Sequence, residues 1–326
     1  MGNEHKQPQK SEQLDLPFIK GSLDWKYDPK VALDKALEFY DKIRPTPIIR
    51  KDHRQMISKR STEAFDSDDT HGVYHGLAVA INIQEIATHT PELRDKARRG
   101  EIDFFNLYVA ALFHDITQVN NPKQRVGHQK ASAEYTSRML LKKEARKEYG
   151  ITTSDITRIY GEIVLHDAIE TNGTGAVLSD ENKLFNDADN LCKISPESFK
   201  RTISYGEQLG RTLFNPDLSD KERLLLGQSS EQSDSLSRML YDIRTYGSRG
   251  TYHFGYSRHL AGKWREEYKN KLLEHLRKDS VYGNDPEKLE KVEDLVSVSP
   301  LAQPGITADN VEFDEKGKSI RVNKTG

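Results

Sequence analysis

Residues 109–116 read VAALFHDI: an apolar run from Val109 to Phe113 that ends on His114-Asp115. Ahead of it, Ile102, Phe105, Val109 and Leu112 mark a helical stripe. Phe104, Leu107, Tyr108, Ala110, Ala111 and Phe113 make the same segment apolar almost all round, which predicts a helix inside the core. A carboxylate delivered to such a place must be hydrogen-bonded, exposed or held by a cation, because leaving it buried and unpaired is too costly. Neighbouring helical positions lie about 100° apart. His114 and Asp115 therefore reach one point only near a helix end or with favourable rotamers, and the following ITQVNNPKQRVG, read as a loop, supplies that end.

Upstream, THGVYHGLAVAINIQEIA spaces Val73, Leu77, Ala80, Ile83 and Ala87 near helical intervals. His71 and His75 are four apart and share a face if the helix starts early enough. The regular run continues straight from His75, which makes it the better ligand candidate; His71 reads as a cap, a supporting residue or a substrate contact. Gly72 and Gly76 let a neighbouring backbone come close. Downstream, Gly127-His128 opens a helix with Ala131, Tyr135, Met139 and Leu140 inward. Ile156, Ile159, Ile163 and His166 then recur at three- and four-residue steps, so His166 lies with an apolar stripe. In NKLFNDADNLCKI, Leu184, Ala188, Leu191 and Ile194 face inward. Asp187 and Asp189 point different ways, and Asp189 is the preferred ligand. TNGTG, just before, lacks the lysine and Ser/Thr ending of a phosphate-binding P-loop.

Composition narrows the class. The 326 residues carry 49 basic and 51 acidic side chains, a net charge of -2, which gives no general drive toward nucleic acid. Mean hydropathy is -0.77, and no apolar run approaches a membrane span. The start, MGNEHKQPQKSEQ, shows no secretory-signal pattern, and the single cysteine, Cys192, fits a reducing compartment. The expectation is a cytoplasmic protein, with signal-independent secretion left open.

The combination His75…His114-Asp115…Asp189, in the contexts HGLAVA, AALFHDI, GHQKASAEY and DADNL, resembles the HD-domain metal-dependent phosphohydrolase superfamily over about residues 55–195. The resemblance implies an all-α helical bundle with a divalent-metal site that hydrolyses phosphate monoesters, diesters or nucleotide anhydrides. It implies His75, His114, Asp115 and Asp189 as ligands of a first metal. In two-metal members the counterpart of Asp115 is a bridge, and His128 and His166 sit in suitable intervals for a second ion. Asp115, His128 and His166 are the catalytic candidates, with His71, Lys123, Arg125 and an arginine from the 50–60 segment as substrate contacts. Nitrogen and oxygen ligands suit Mn, Fe, Zn, Ni, Co or Mg. The chain departs from the branch that cleaves cyclic di-GMP, having Asp167 rather than a second histidine after His166 and no glycine-tyrosine-proline signature. It also lacks the Glu-Asp pair of the guanosine-tetraphosphate hydrolases. The partner implied is a phosphorylated small molecule, a nucleotide above all. Two other readings stand beside hydrolysis: a non-catalytic module that binds a nucleotide or protein, and a di-iron oxygenase on a related helical scaffold.

The rest of the chain is organised around this unit. Residues 1–24 read as a flexible tail. Pro29 after Asp28 opens a helix with Val31, Leu33, Ala36, Leu37 and Tyr40 on its apolar face. Helices continue through 197–274, and the glycine- and tyrosine-rich SRGTYHFGYSRH reads as a structured surface loop. One helical domain is expected over 25–275. A polar appendage is expected over 276–326, in which VEFDEKGKSIRV forms a small β-hairpin.

Overall fold

The computed structural model describes residues 24–43, 73–120, 127–166, 178–196, 198–215, 217–219, 222–223, 234–247, 251–279, 282–297, 311–313 and 319–322. Their helices are α1 (Pro29–Ile43), α2 (Val73–His89), α3 (Pro91–Arg98), α4 (Phe104–Phe113), α5 (Ile116–Asn120), α6 (His128–Leu140) and α7 (Lys143–Tyr149). They continue with α8 (Thr153–Leu165), α9 (Asp180–Lys193), α10 (Ser198–Gln208), α11 (Ser235–Thr245), α12 (Gly255–Lys278) and α13 (Pro286–Val296). The fold is all-α, with one antiparallel pair of strands near the end, β1 (Val311–Phe313) and β2 (Ser319–Val322), in the register Val311 to Val322. That pair is the expected hairpin. Among the described residues no helix is long and apolar enough to cross a membrane.

All ten residues of α4 are buried, as its all-round apolar sequence requires. Asp103 starts it by accepting the Asn106 backbone N–H at 3.0 Å, which satisfies one of the amides a helix start leaves open. Around this axis pack α1, α2 and α8; α9 lies along α2, and α6 along α8. Phe39 and Tyr40 of α1 close on Phe113, and Trp25 meets Phe105 edge-on at 4.9 Å. Asp28 caps α1 by accepting the N–H groups of Lys30 and Val31. Val31, expected on the inner face, is 39% exposed; Ala32 and Phe39 take the inner positions instead.

Two further expectations change. ITQVN, read as the start of a loop, is the helical turn α5. The inner face of α6 is His128, Ser132, Ala133, Thr136 and Leu140, whereas Ala131, Tyr135 and Met139 are only half-buried. Small hydroxyl residues take the closest contacts there because Thr117 Oγ1 and Ser132 Oγ hydrogen-bond across them at 2.9 Å.

A second apolar cluster gathers Phe199, Leu236, Met239, Leu240, Ile243, Tyr268, Leu272 and Leu276 with Val292, Leu295 and Val296 of α13. The polar appendage expected from residue 276 is thereby corrected for 286–296. Those three apolar residues share one face of an amphipathic helix, and burying that face ties it to the fold. Helix α12 joins the clusters, with Leu260 and Ala261 in the first and Tyr268, Leu272 and Leu276 in the second. The segment before it is pinned to the bundle by Asp187, which accepts the backbone N–H groups of His253 at 2.9 Å and Phe254 at 3.0 Å.

Candidate metal centre

His114 is the C-cap of α4 and Asp115 stands between α4 and α5, so both leave the helix at its end. The ring of His114 turns back one helical turn, with Nδ1 2.8 Å from the Ala111 carbonyl oxygen. His166, at the C-cap of α8, repeats the device with Nδ1 2.6 Å from Ile163 O. A neutral ring held this way keeps its proton on Nδ1 and presents the Nε2 lone pair, the usual preparation of a histidine ligand. His75 arrives from the first turn of α2. That helix lies so close to α4 that a Cβ on Gly76 would sit 2.7 Å from Ala111 O.

These elements bring the side chains to one buried spot. His75 Nε2 lies 3.2 Å from His114 Nε2, 3.2 Å from Asp189 Oδ1 and 3.8 Å from Asp115 Oδ2. His114 Nε2 is 3.3 Å from Asp115 Oδ2 and 3.7 Å from Asp189 Oδ1. The other oxygen of Asp115, Oδ1, is 3.3 Å from His128 Nε2 and 3.9 Å from His166 Nε2. Asp115 thus divides its carboxylate between two groups of ligand-type atoms. Within His75, His114 and Asp115, within Asp115, His128 and His166, and within His114, His166 and Asp189, a set that spans the two, the atoms all lie within 4.8 Å of one another.

The electrostatics of the spot favour a cation. Burial lowers the pKa of His75 to about 4, against the pull of Asp189. At His114 burial also acts downward, but the charge and hydrogen bond of Asp115 and the charge of Asp189 win and raise it to about 9. Asp189 is held well below the usual carboxylate range: burial acts upward, and Lys193, His75 and His114 overcome it. Asp189 Oδ1 is buried and accepts no well-aligned hydrogen bond, although two imidazole nitrogens lie within 3.7 Å of it. Two buried carboxylates and several imidazole nitrogens converging within ligand distance of one another form a donor set that fits a divalent ion.

The family profile of the HD domain matches residues 72–194. The chain carries an HD domain. It runs from just before α2 to just after α9, and all six of the converging side chains lie inside it. No curated protein matches the chain. Among solved structures, a Lactobacillus plantarum protein determined as a Northeast Structural Genomics target is similar over 68% of this chain and 94% of its own, at 16% identity and a TM-score of 0.43.

His71, Lys123, Arg125, Asp167, the TNGTG loop, Arg249 and the arginines of 50–60 lie outside the described residues. Arg244 is buried on α11, and burial lowers its pKa to about 10. His253 is half-buried and His259 exposed. Three residues that touch the HD-domain site were read from sequence only as ordinary helix positions. Lys193 Nζ is 3.3 Å from Asp189 Oδ2 and lies 4.5 Å from the centre of the Tyr246 ring. Arg201 Nη1 is 3.0 Å from His75 Nδ1. The i,i+4 spacing of Asp189 and Lys193 was a visible signal. Tyr246 and Arg201 had none, because their partners lie at least 50 residues away in sequence.

Proposed function

We propose that the HD domain of this chain hydrolyses a phosphate ester or phosphoanhydride with a divalent metal, in a nucleotide or a related phosphorylated metabolite. The observation that supports this most is the division of Asp115, with Oδ2 toward His75 and His114 and Oδ1 toward His128 and His166. In this reading His75, His114, Asp115 and Asp189 hold a first ion, and Asp115, His128 and His166 a second. When bound, such ions lower the pKa of water to the neutral range and offset charge developing on phosphoryl oxygen. The protein contributes the rest. Asp115 fixes the spacing of the two positions, and the carbonyls of Ala111 and Ile163 orient the rings of His114 and His166. Lys193 holds the second oxygen of Asp189, so that Oδ1 alone turns inward. His128, 8% exposed at the start of α6, either completes the second ion or donates a proton to the leaving oxygen; bound through Nε2 it cannot do both. His71, Lys123 and Arg125 remain the proposed substrate contacts.

The test is metal-free protein reloaded with Mn, Fe, Zn, Ni, Co or Mg and assayed on mono- and bis-nitrophenyl phosphate, then on nucleotides and phosphorylated metabolites. Metal-dependent release of nitrophenol or phosphate, abolished by Asp115→Asn, is expected. Nucleotide binding with no turnover under any metal would refute hydrolysis in favour of a binding module. A coloured protein containing two irons that consumes oxygen would refute it in favour of an oxygenase.

A further inference from the structure

One hydrogen bond at the site runs against simple ligation. Arg201 is buried on α10, outside the span matched by the HD profile, and puts Nη1 3.0 Å from His75 Nδ1 while Nη2 donates to Cys192 O. A guanidinium has donors only, so Nδ1 must be the acceptor and a neutral His75 carries its proton on Nε2. That is the atom 3.2 Å from His114 Nε2 and 3.2 Å from Asp189 Oδ1, through which His75 would hold a metal. His114 and His166 are set the opposite way, with Nδ1 facing a backbone carbonyl and Nε2 turned toward the Asp115 carboxylate. The two arrangements cannot serve the same purpose.

We propose that Arg201 is a positioning residue that holds His75 in the non-ligating tautomer, so that α10 sets the affinity of the first metal position and leaves the second untouched. The inference rests on the metal-centre reading above. For His75 to ligate, one proton leaves Nε2. It moves to Nδ1 once Arg201 has withdrawn its donor, and the ring stays neutral; no other bond changes. The cationic guanidinium also opposes a divalent ion two bonds beyond its hydrogen bond. The second position contains neither His75 nor a contact to Arg201, since its atoms belong to Asp115, His128 and His166.

The decisive variant is Arg201→Gln, which takes the obligate donor and the positive charge away from Nδ1 and so releases the ligating tautomer. Titration of metal-free protein with Mn(II), followed by the loss of the free-ion electron paramagnetic resonance signal, reads both positions. Arg201→Gln is expected to tighten one of them by roughly tenfold to a hundredfold, the scale of partners that orient metal ligands. The other position stays as in the wild type, and Arg201→Lys, which keeps the charge, shows no tightening. Nitrogen-15 spectra of the imidazoles in metal-free wild type provide a readout that needs no variant to fold: His75 is expected protonated at Nε2, with His166 protonated at Nδ1. A wild-type His75 protonated at Nδ1, or an Arg201→Gln variant that binds Mn(II) no tighter, overturns the role of Arg201. Wild type and variant that both fail to bind any of the six metals, with the Nε2 tautomer present, would instead overturn the metal-centre reading.

Discussion

Replacing Gly76 by alanine tests how the site depends on backbone packing. A Cβ built on Gly76 would lie 2.7 Å from Ala111 O and 2.8 Å from Leu112 Cα, where ordinary contact begins near 3.4 Å. The obstruction is main chain of a fully buried helix, so neither atom can turn aside. Helix α2 must then withdraw from α4 by roughly 0.6 Å, and overpacking of this kind costs about 1–3 kcal/mol. For a chain of this size that lowers the melting temperature by about 2–12 °C. The larger consequence falls on the site. His75 precedes Gly76 on α2, and His114 ends α4, so the same displacement widens the 3.2 Å gap between their Nε2 atoms. Metal ligation tolerates about 0.2 Å around its distances, so the first position should lose affinity well beyond what the lost stability explains. Thermal unfolding of the metal-free protein and metal counting on the folded variant check the two effects separately. A Gly76→Ala protein that melts and binds metal like the wild type would refute the close-approach argument.

The other predictions follow from the division of Asp115 and from the titrating groups. Asp189→Asn should lose the first ion only, His166→Gln the second only, and Asp115→Asn both; equal losses in all three by elemental analysis would refute a bridging Asp115. His114, with its pKa raised to about 9, must give up a proton before it ligates. Metal affinity should therefore rise by about tenfold per pH unit toward pH 9 and then level off, and a pH-independent Kd would contradict it. Glu162 is buried with Oε2 outside any hydrogen bond, and burial lifts its pKa from 4.5 to about 8. A carboxyl that stays protonated in the fold stabilises fully below its unfolded pKa, and that stability is lost as pH rises through the folded value. Glu162→Gln should thus match the wild type near pH 4 and exceed it above pH 8 by on the order of 4 kcal/mol, measured by urea unfolding. A gap that does not change with pH would refute the assignment.

Much of the bundle was legible because helical periodicity is a local property. The all-apolar segment before His114 could only be a core helix, and the stripe ending at His166 told which way that ring pointed. Asp189 against Asp187 could be separated because residues two apart on a helix face about 200° apart. Where the inner face was assigned to the largest apolar side chains, as in α6, the structure shifted it. Tight packing against α5 selects Ser132 for its size and hydroxyl, and composition does not report distance to a neighbour.

By itself the sequence determined the central core helices and which residues their ends release: His114 and Asp115 after α4, His166 after α8, His128 at the head of α6. Each follows from spacing and capping along a continuous piece of chain. Only the tertiary structure decided that Asp115 turns one oxygen to each group of histidines, that Gly76 sits against the Ala111 carbonyl, and that Arg201 reaches His75 across 126 residues of sequence. Those facts depend on the angles and distances at which helices pack. Arg201 lies in a stretch that the sequence marks only as helical, whereas in the fold its guanidinium is turned toward His75.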